Sequence, residues 1–168
     1  FEYVHSGGAL LMVTPPVEFD SLLGIQHLDR TITGGYILFD STSHVVGGLS
    51  RVPLQFFGDA QLYQSTRATV AARIAPDKSM ADSHPAVGIS SYGTGRIGFI
   101  SYNLGQSIVV TRQGKPPSSN NQEPIDRDND GVFNIADLYY DSFDYANRAI
   151  PQADEQQKLF VNLIFALL

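Results

Sequence analysis

Apolar and polar positions divide the chain into a series of short β-like runs and one long helix-like run at the end. "FEYVHS" reads as the last turn of a helix that stops at Gly7 and Gly8, and the all-apolar run Ala9 to Val13 follows as a buried strand. "EFDSLLGIQ" has the pattern of a short helix starting near Asp20 or Ser21. "TITGGYILF" (Thr31 to Phe39), "PLQFFGD" and "ATVAARI" (Ala68 to Ile74) are β-rich, and Gly34-Gly35 predicts a bulge or turn in the first of them. Ala86 to Tyr92 and Arg96 to Tyr102 flank Gly93-Thr94-Gly95 and predict a hairpin. Gln106 to Thr111 reads as a short helical or extended stretch. After Pro151, Leu159, Phe160, Leu163, Ile164 and Leu167 recur at helical spacing, the firmest helix signal in the chain.

Strands that are apolar on both faces, mixed with helices, predict an α/β fold with its sheet covered on both sides. With 168 residues and 43% hydrophobic residues, the chain is expected to form one domain over 1–168 with a sizeable core. No internal repeat is present. A domain seldom begins on the last turn of a helix, so a preceding strand and most of a helix are expected to be missing or supplied by another chain. A net charge of −6 without a Lys/Arg cluster gives nucleic-acid binding no electrostatic support. No apolar run reaches the roughly 18 residues of a membrane span. Cysteine is absent, which removes disulfides, thiolate metal sites and a cysteine nucleophile together.

The concentration of charge in "DRDNDGVFNIAD", 126–137, changes the picture. A calcium loop needs oxygen ligands at its first, third, fifth, ninth and twelfth places, a backbone carbonyl at the seventh and glycine at the sixth. Asp126, Asp128, Asp130, Asn134 and Asp137 fill the first set, Val132 the carbonyl position and Gly131 the turn. Asp at the twelfth place and "NIAD" resemble a dockerin loop more than an EF-hand. A dockerin carries two such loops, this chain has one, and Pro116, Pro117 and Pro124 forbid a good entering helix. Cohesin-type docking therefore does not follow. The alternative is a solvated acidic turn, in which uncompensated carboxylates repel one another. The completeness of the pattern favours Ca2+ in a structural role, with the weak affinity that suits an extracellular or cell-surface setting.

Other candidates for chemistry are thinner. "DSTSH" gathers Asp40, Ser41, Ser43 and His44, but a hydrolase triad is assembled from distant segments, so a polar loop is the expected reading. Arg112 and Gln113 are candidates for contact with a carboxylate or sugar hydroxyl, against loop capping by the same groups. His5, His27 and His84 lack zinc-ligand spacing. Tyr139, Tyr140, Phe143 and Tyr145 follow the acidic loop and offer either a carbohydrate-binding face or ordinary core rings. No P-loop and no G-x-S-x-G elbow is present.

"YVHSGGALLMV", "YGTGRIGFISYNLGQSIVVTRQG" and "IPQADEQQKLFVNLI" resemble a class I glutamine amidotransferase-like (flavodoxin-like) domain of large secreted and cell-surface prokaryotic proteins. The resemblance implies an open, mostly parallel sheet with helices on both faces, lacking its first strand–helix unit. It also implies a lost reaction, because the family's cysteine nucleophile has no counterpart here. The expected function is a non-catalytic, calcium-stabilised structural or interaction domain whose sheet edge meets another domain or subunit. The alternative is a hydrolase or carbohydrate-active or carbohydrate-binding domain with its site at the C-terminal ends of the strands.

Overall fold

A computed structural model describes residues 1–50, 52–113, 125–132, 137 and 149–168. The chain runs α1 (Glu2–His5), β1 (Ala9–Val13), α2 (Asp20–Leu23), β2 (Ile25–Phe39), β3 (Leu54–Ser65), β4 (Thr69–Ala75), β5 (His84–Tyr92), β6 (Gly95–Ile100), α3 (Leu104–Arg112) and α4 (Ala149–Leu167). Short 3₁₀ turns occupy Val17–Phe19 and His44–Val46. One six-stranded sheet has the order β1-β6-β5-β4-β2-β3. Among the described residues only β1 and β6 pair in parallel; β2–β3, β2–β4, β4–β5 and β5–β6 are all antiparallel.

This arrangement overturns the expected open, mostly parallel, flavodoxin-like sheet with helices on both faces. The sheet is mixed, mostly antiparallel and curled into a half-barrel with few helices. A two-residue turn joins β5 to β6, and so short a link can only return the strand antiparallel to its neighbour. The apolar runs on both strand faces, which predicted a two-sided cover, reflect the curl together with the packing of Leu104, Leu159 and Leu163 from α3 and α4. Along β3 the two bury Leu54, Phe56, Phe57, Ala60, Leu62 and Tyr63.

The far edge of the sheet is stitched back to the end of β6. Ala60 bridges Tyr102, and Gln61 N–H donates to the Ser101 carbonyl at 3.1 Å. The Phe56 and Tyr102 rings pack at 5.5 Å across this seam. Side chains along β6 alternate between two cores. Ile100 joins Phe56, Tyr102, Leu159 and Leu163, while Ile97 and Phe99 join Val4, Leu22, Leu23 and Tyr63.

At the other end of β3, the outward backbone groups of this edge strand bond helix side chains instead of a strand. Gln55 N–H donates to Gln152 Oε1 (2.9 Å), and Phe57 N–H donates to Ser107 Oγ (3.2 Å). The buried Gln156 donates from Nε2 to the Gln55 carbonyl (2.8 Å), and its Oε1 accepts from Ser107 Oγ (2.8 Å). Gln152 and Gln156 lie one helical turn apart on α4, so both reach the same strand. The turn between β5 and β6 closes on α1. Gly93 has φ +60°, and a Cβ there would stand 2.3 Å from the His5 carbonyl, so only glycine fits.

Replacing Gln156 by Leu fills the same space but leaves the Gln55 carbonyl and the Ser107 hydroxyl buried without this partner. A loss of about 2–3 kcal/mol is expected in urea unfolding. A midpoint equal to that of the parent chain would show that the amide does not hold the edge.

Candidate functional site

The helix α3 delivers the acidic loop to the body of the fold. Its last residue, Arg112, donates to Asp154 of α4 at 2.5 Å and to Gln157 at 3.3 Å. The next side chain, Gln113, is buried and clamps Ile125: its Nε2 donates to the Ile125 carbonyl (2.5 Å) and its Oε1 accepts the Ile125 N–H (3.1 Å). Both residues singled out for ligand contact are thus engaged in holding α3, α4 and the loop entrance together.

Immediately beyond the clamp, Asp126, Asp128 and Asp130 turn their carboxylates toward one another, with one oxygen from each lying within 4.8 Å of the others. Three backbone donors draw them in. Asp130 N–H donates to Asp126 Oδ1 and Asp128 Oδ1 (both 3.2 Å), Gly131 N–H to Asp126 Oδ2 (2.7 Å) and Val132 N–H to Asp130 Oδ1 (2.7 Å). Asn129 at φ +59° and Gly131 at φ +81° make the sharp reversal that lets carboxylates two apart in sequence converge. Asp137 is buried, and its Oδ1 accepts the Arg127 N–H at 2.7 Å, so the twelfth loop position is brought to the second. Val132 is exposed. Asn134 lies outside the described residues, as do Tyr139, Tyr140, Phe143 and Tyr145.

The Asp128 carboxyl is raised above its ordinary value. Desolvation within the loop is the largest cause, and the Asp130 and Asp137 charges and the hydrogen bond with Asp126 add to it; the Asp130 N–H opposes them. Carboxylate oxygens without sulfur or nitrogen donors are the set a hard divalent cation takes, and Ca2+ tolerates the irregular geometry of a loop better than Mg2+. The residues present fit that ion.

The Asp40–His44 segment forms no triad. Asp40 accepts from the Thr42 hydroxyl (2.7 Å) and N–H (3.0 Å), which hold its carboxyl below the ordinary value. Ser43 Oγ accepts the Val45 N–H at 3.3 Å, capping the 3₁₀ turn, and His44 is exposed. No side-chain hydrogen bond joins Asp40, Ser43 and His44 among the described residues. Ser43 nevertheless borders two clefts, one of ≈ 390 Å³ and one of ≈ 380 Å³. Arg67 and Arg96 line the second; one stands in the turn between β3 and β4 and the other near the start of β6, far apart in sequence and with no local motif that would mark them.

The histidines that looked isolated are partly tied down. His27 lies against Asp20, its Nε2 against the Pro15 carbonyl at 3.0 Å and its ring edge-on to Tyr63 at 4.6 Å. His5 packs edge-on against Tyr92 at 5.5 Å. His84 Nε2 lies 3.5 Å from Asp82.

No family model matches the chain, and no curated protein matches it. Among solved structures it is similar to the cytoplasmic protein STM1381 from Salmonella typhimurium LT2, at 13% identity and TM-score 0.57, covering 99% of this chain and 58% of that one. It is also similar to a β-galactosidase from Rahnella sp. R3 (16% identity, TM-score 0.49, covering 61% of this chain and 17% of that one). An exo-β-1,4-mannosidase from an Opitutaceae bacterium gives 18% identity and TM-score 0.44, over 63% of this chain and 18% of that one. Carbohydrate-active glycosidases therefore stand among the structural neighbours, at low identity and partial coverage. The chain spans about a sixth of the length of these glycosidases. The amidotransferase-like resemblance is not supported: the strand order and the antiparallel pairings describe a different sheet.

Asp128 supplies a test of the loop's electrostatics. An acid raised in the folded state favours folding below its unfolded value and loses that contribution as the pH climbs through the folded value. In EGTA at pH 7, Asp128→Asn should therefore unfold at a higher urea concentration than the parent chain. The gap should close as the pH falls below the ordinary value of 3.8. A variant that is less stable at pH 7 would contradict the crowding.

Proposed function

We propose that the chain is a non-catalytic β-sheet module whose 126–137 loop binds one calcium ion and is stabilised by it, in a structural or interaction role. The observation that carries this reading is the convergence of Asp126, Asp128 and Asp130 within 4.8 Å, in a loop whose backbone donors are already directed at those carboxylates. An ion placed between them replaces mutual repulsion by attraction, so binding free energy becomes folding free energy. Asp137 ties the loop back through the Arg127 N–H, and the Gln113 clamp transmits the ordering of the loop to α3.

Isothermal titration with Ca2+ tests it. One site is expected, with a dissociation constant of roughly 10⁻⁴–10⁻³ M, as in extracellular calcium modules, and weaker binding of Mg2+. Asp126→Asn keeps an oxygen for the Gly131 N–H while removing the charge, and should weaken Ca2+ binding about tenfold or more. Absence of saturable heat, or unchanged affinity in the variant, would return the loop to a solvated acidic turn.

A further inference from the structure

The cleft of ≈ 380 Å³ beside the 3₁₀ turn His44–Val46 has a chemistry opposite to that of the acidic loop. Its lining includes Arg67, Arg96, His44 and the hydroxyl residues Ser43, Thr69 and Ser91. Arg67 stands in the turn from β3 to β4, where its Nη2 donates to the Ser21 and Leu22 carbonyls at 3.0 and 3.2 Å. Arg96 stands near the start of β6, where its Nη1 donates to the Ala166 carbonyl of α4 at 2.9 Å. Each guanidinium is thus fixed through one nitrogen while most of its five N–H donors remain for other partners. Among the described residues, neither arginine forms an ion pair with a carboxylate, although Arg30 and Arg112 both do. In a chain with 17 acidic residues and a net charge of −6, two cations kept away from carboxylates and lining one concavity need a reason.

We propose that this cleft binds the carboxylate or phosphate group of a small hydroxylated molecule. Arg67 and Arg96 hold the oxyanion, because the guanidinium fork matches its oxygens and a concave wall strengthens the field. Ser43, Thr69, Ser91 and His44 meet the ligand's hydroxyls. The carbonyls of Ser21, Leu22 and Ala166 act as positioning groups that keep the two guanidinium groups from folding onto the surface.

The site is tested by titrating the whole chain with inorganic phosphate and, separately, with gluconate. EGTA is present so that the acidic loop takes no part, and ionic strength is held constant with sodium chloride. Saturable binding of either probe is expected, followed by calorimetry or by amide shifts at Thr69 and Ser91; the tighter probe identifies the head group. Arg67→Gln/Arg96→Gln should weaken it about tenfold or more. Because that variant also loses helix-end hydrogen bonds, Ser91→Asp is the second arm. Ser91 is exposed and pairs in register with Arg96, so the new carboxylate occupies the arginine without removing either guanidinium–carbonyl contact. It should abolish binding of both probes. If neither probe binds saturably, or if Ser91→Asp binds as the parent chain does, the proposal fails.

Discussion

The edge of β3 is the constraint on which the rest of the molecule depends. A terminal strand in a curled sheet has a row of outward N–H and C=O groups that must find partners once helices bury it. Here the strand's own continuation supplies none. Gln152, Gln156 and Ser107 take the groups at one end, and the Ser101 carbonyl accepts the Gln61 N–H at the other. Because those polar side chains come from α3 and α4, the same bonds dock both helices, and through them the candidate sites. The C-terminus of α3 presents Gln113 to the acidic loop, and the end of α4 presents the Ala166 carbonyl to Arg96. A buried polar network therefore sets where two surface features of opposite charge are built.

Much of the element pattern was legible from residue types. The hairpin signalled by Gly93-Thr94-Gly95, the strand at Ala9–Val13 and the final helix occupy the places that period and turn chemistry predicted, although that strand is half-buried rather than buried and Val13 is exposed. The tertiary arrangement was not legible, for a definite reason. An apolar run such as "PLQFFGD" says that both faces of a strand are covered, but not whether helices or the sheet's own curl cover them. The parallel reading followed the first possibility, whereas the chain combines the two: the sheet curls, and Leu104, Leu159 and Leu163 of α3 and α4 pack into one core with Leu54, Phe56 and Leu62 of β3. What identifies the curl is the contact of Ala60 with Tyr102, 42 positions apart, which no local pattern encodes.

The sites divide in the same way. The acidic loop is a local motif: its ligand spacing, its glycine and its reversal lie within a dozen residues, so the sequence alone locates it. The structure adds the two facts that spacing cannot supply, namely that Gln113 grips Ile125 and that Asp137 returns to Arg127. The arginine cleft is the reverse case. Arg67 comes from a turn and Arg96 from a strand, each is held by carbonyls of another element, and neither belongs to a charge cluster. Only the fold puts them on one wall. Gln113 and Arg112, in contrast, were visible as candidate contacts but are used internally, because a buried amide and a helix-end guanidinium satisfy the backbone and Asp154 first.

Calcium linkage between the loop and the fold is read most directly by scanning calorimetry of the parent chain, first in EGTA and then with Ca2+ at about one hundred times its dissociation constant. Binding to the folded state alone would contribute about 2.7 kcal/mol at that excess, or a rise in Tm of roughly 5–10 °C for a chain of this size. That rise is the expected result. The same Tm in both buffers would contradict a structural ion and leave Asp126, Asp128 and Asp130 as an ordinary solvated turn.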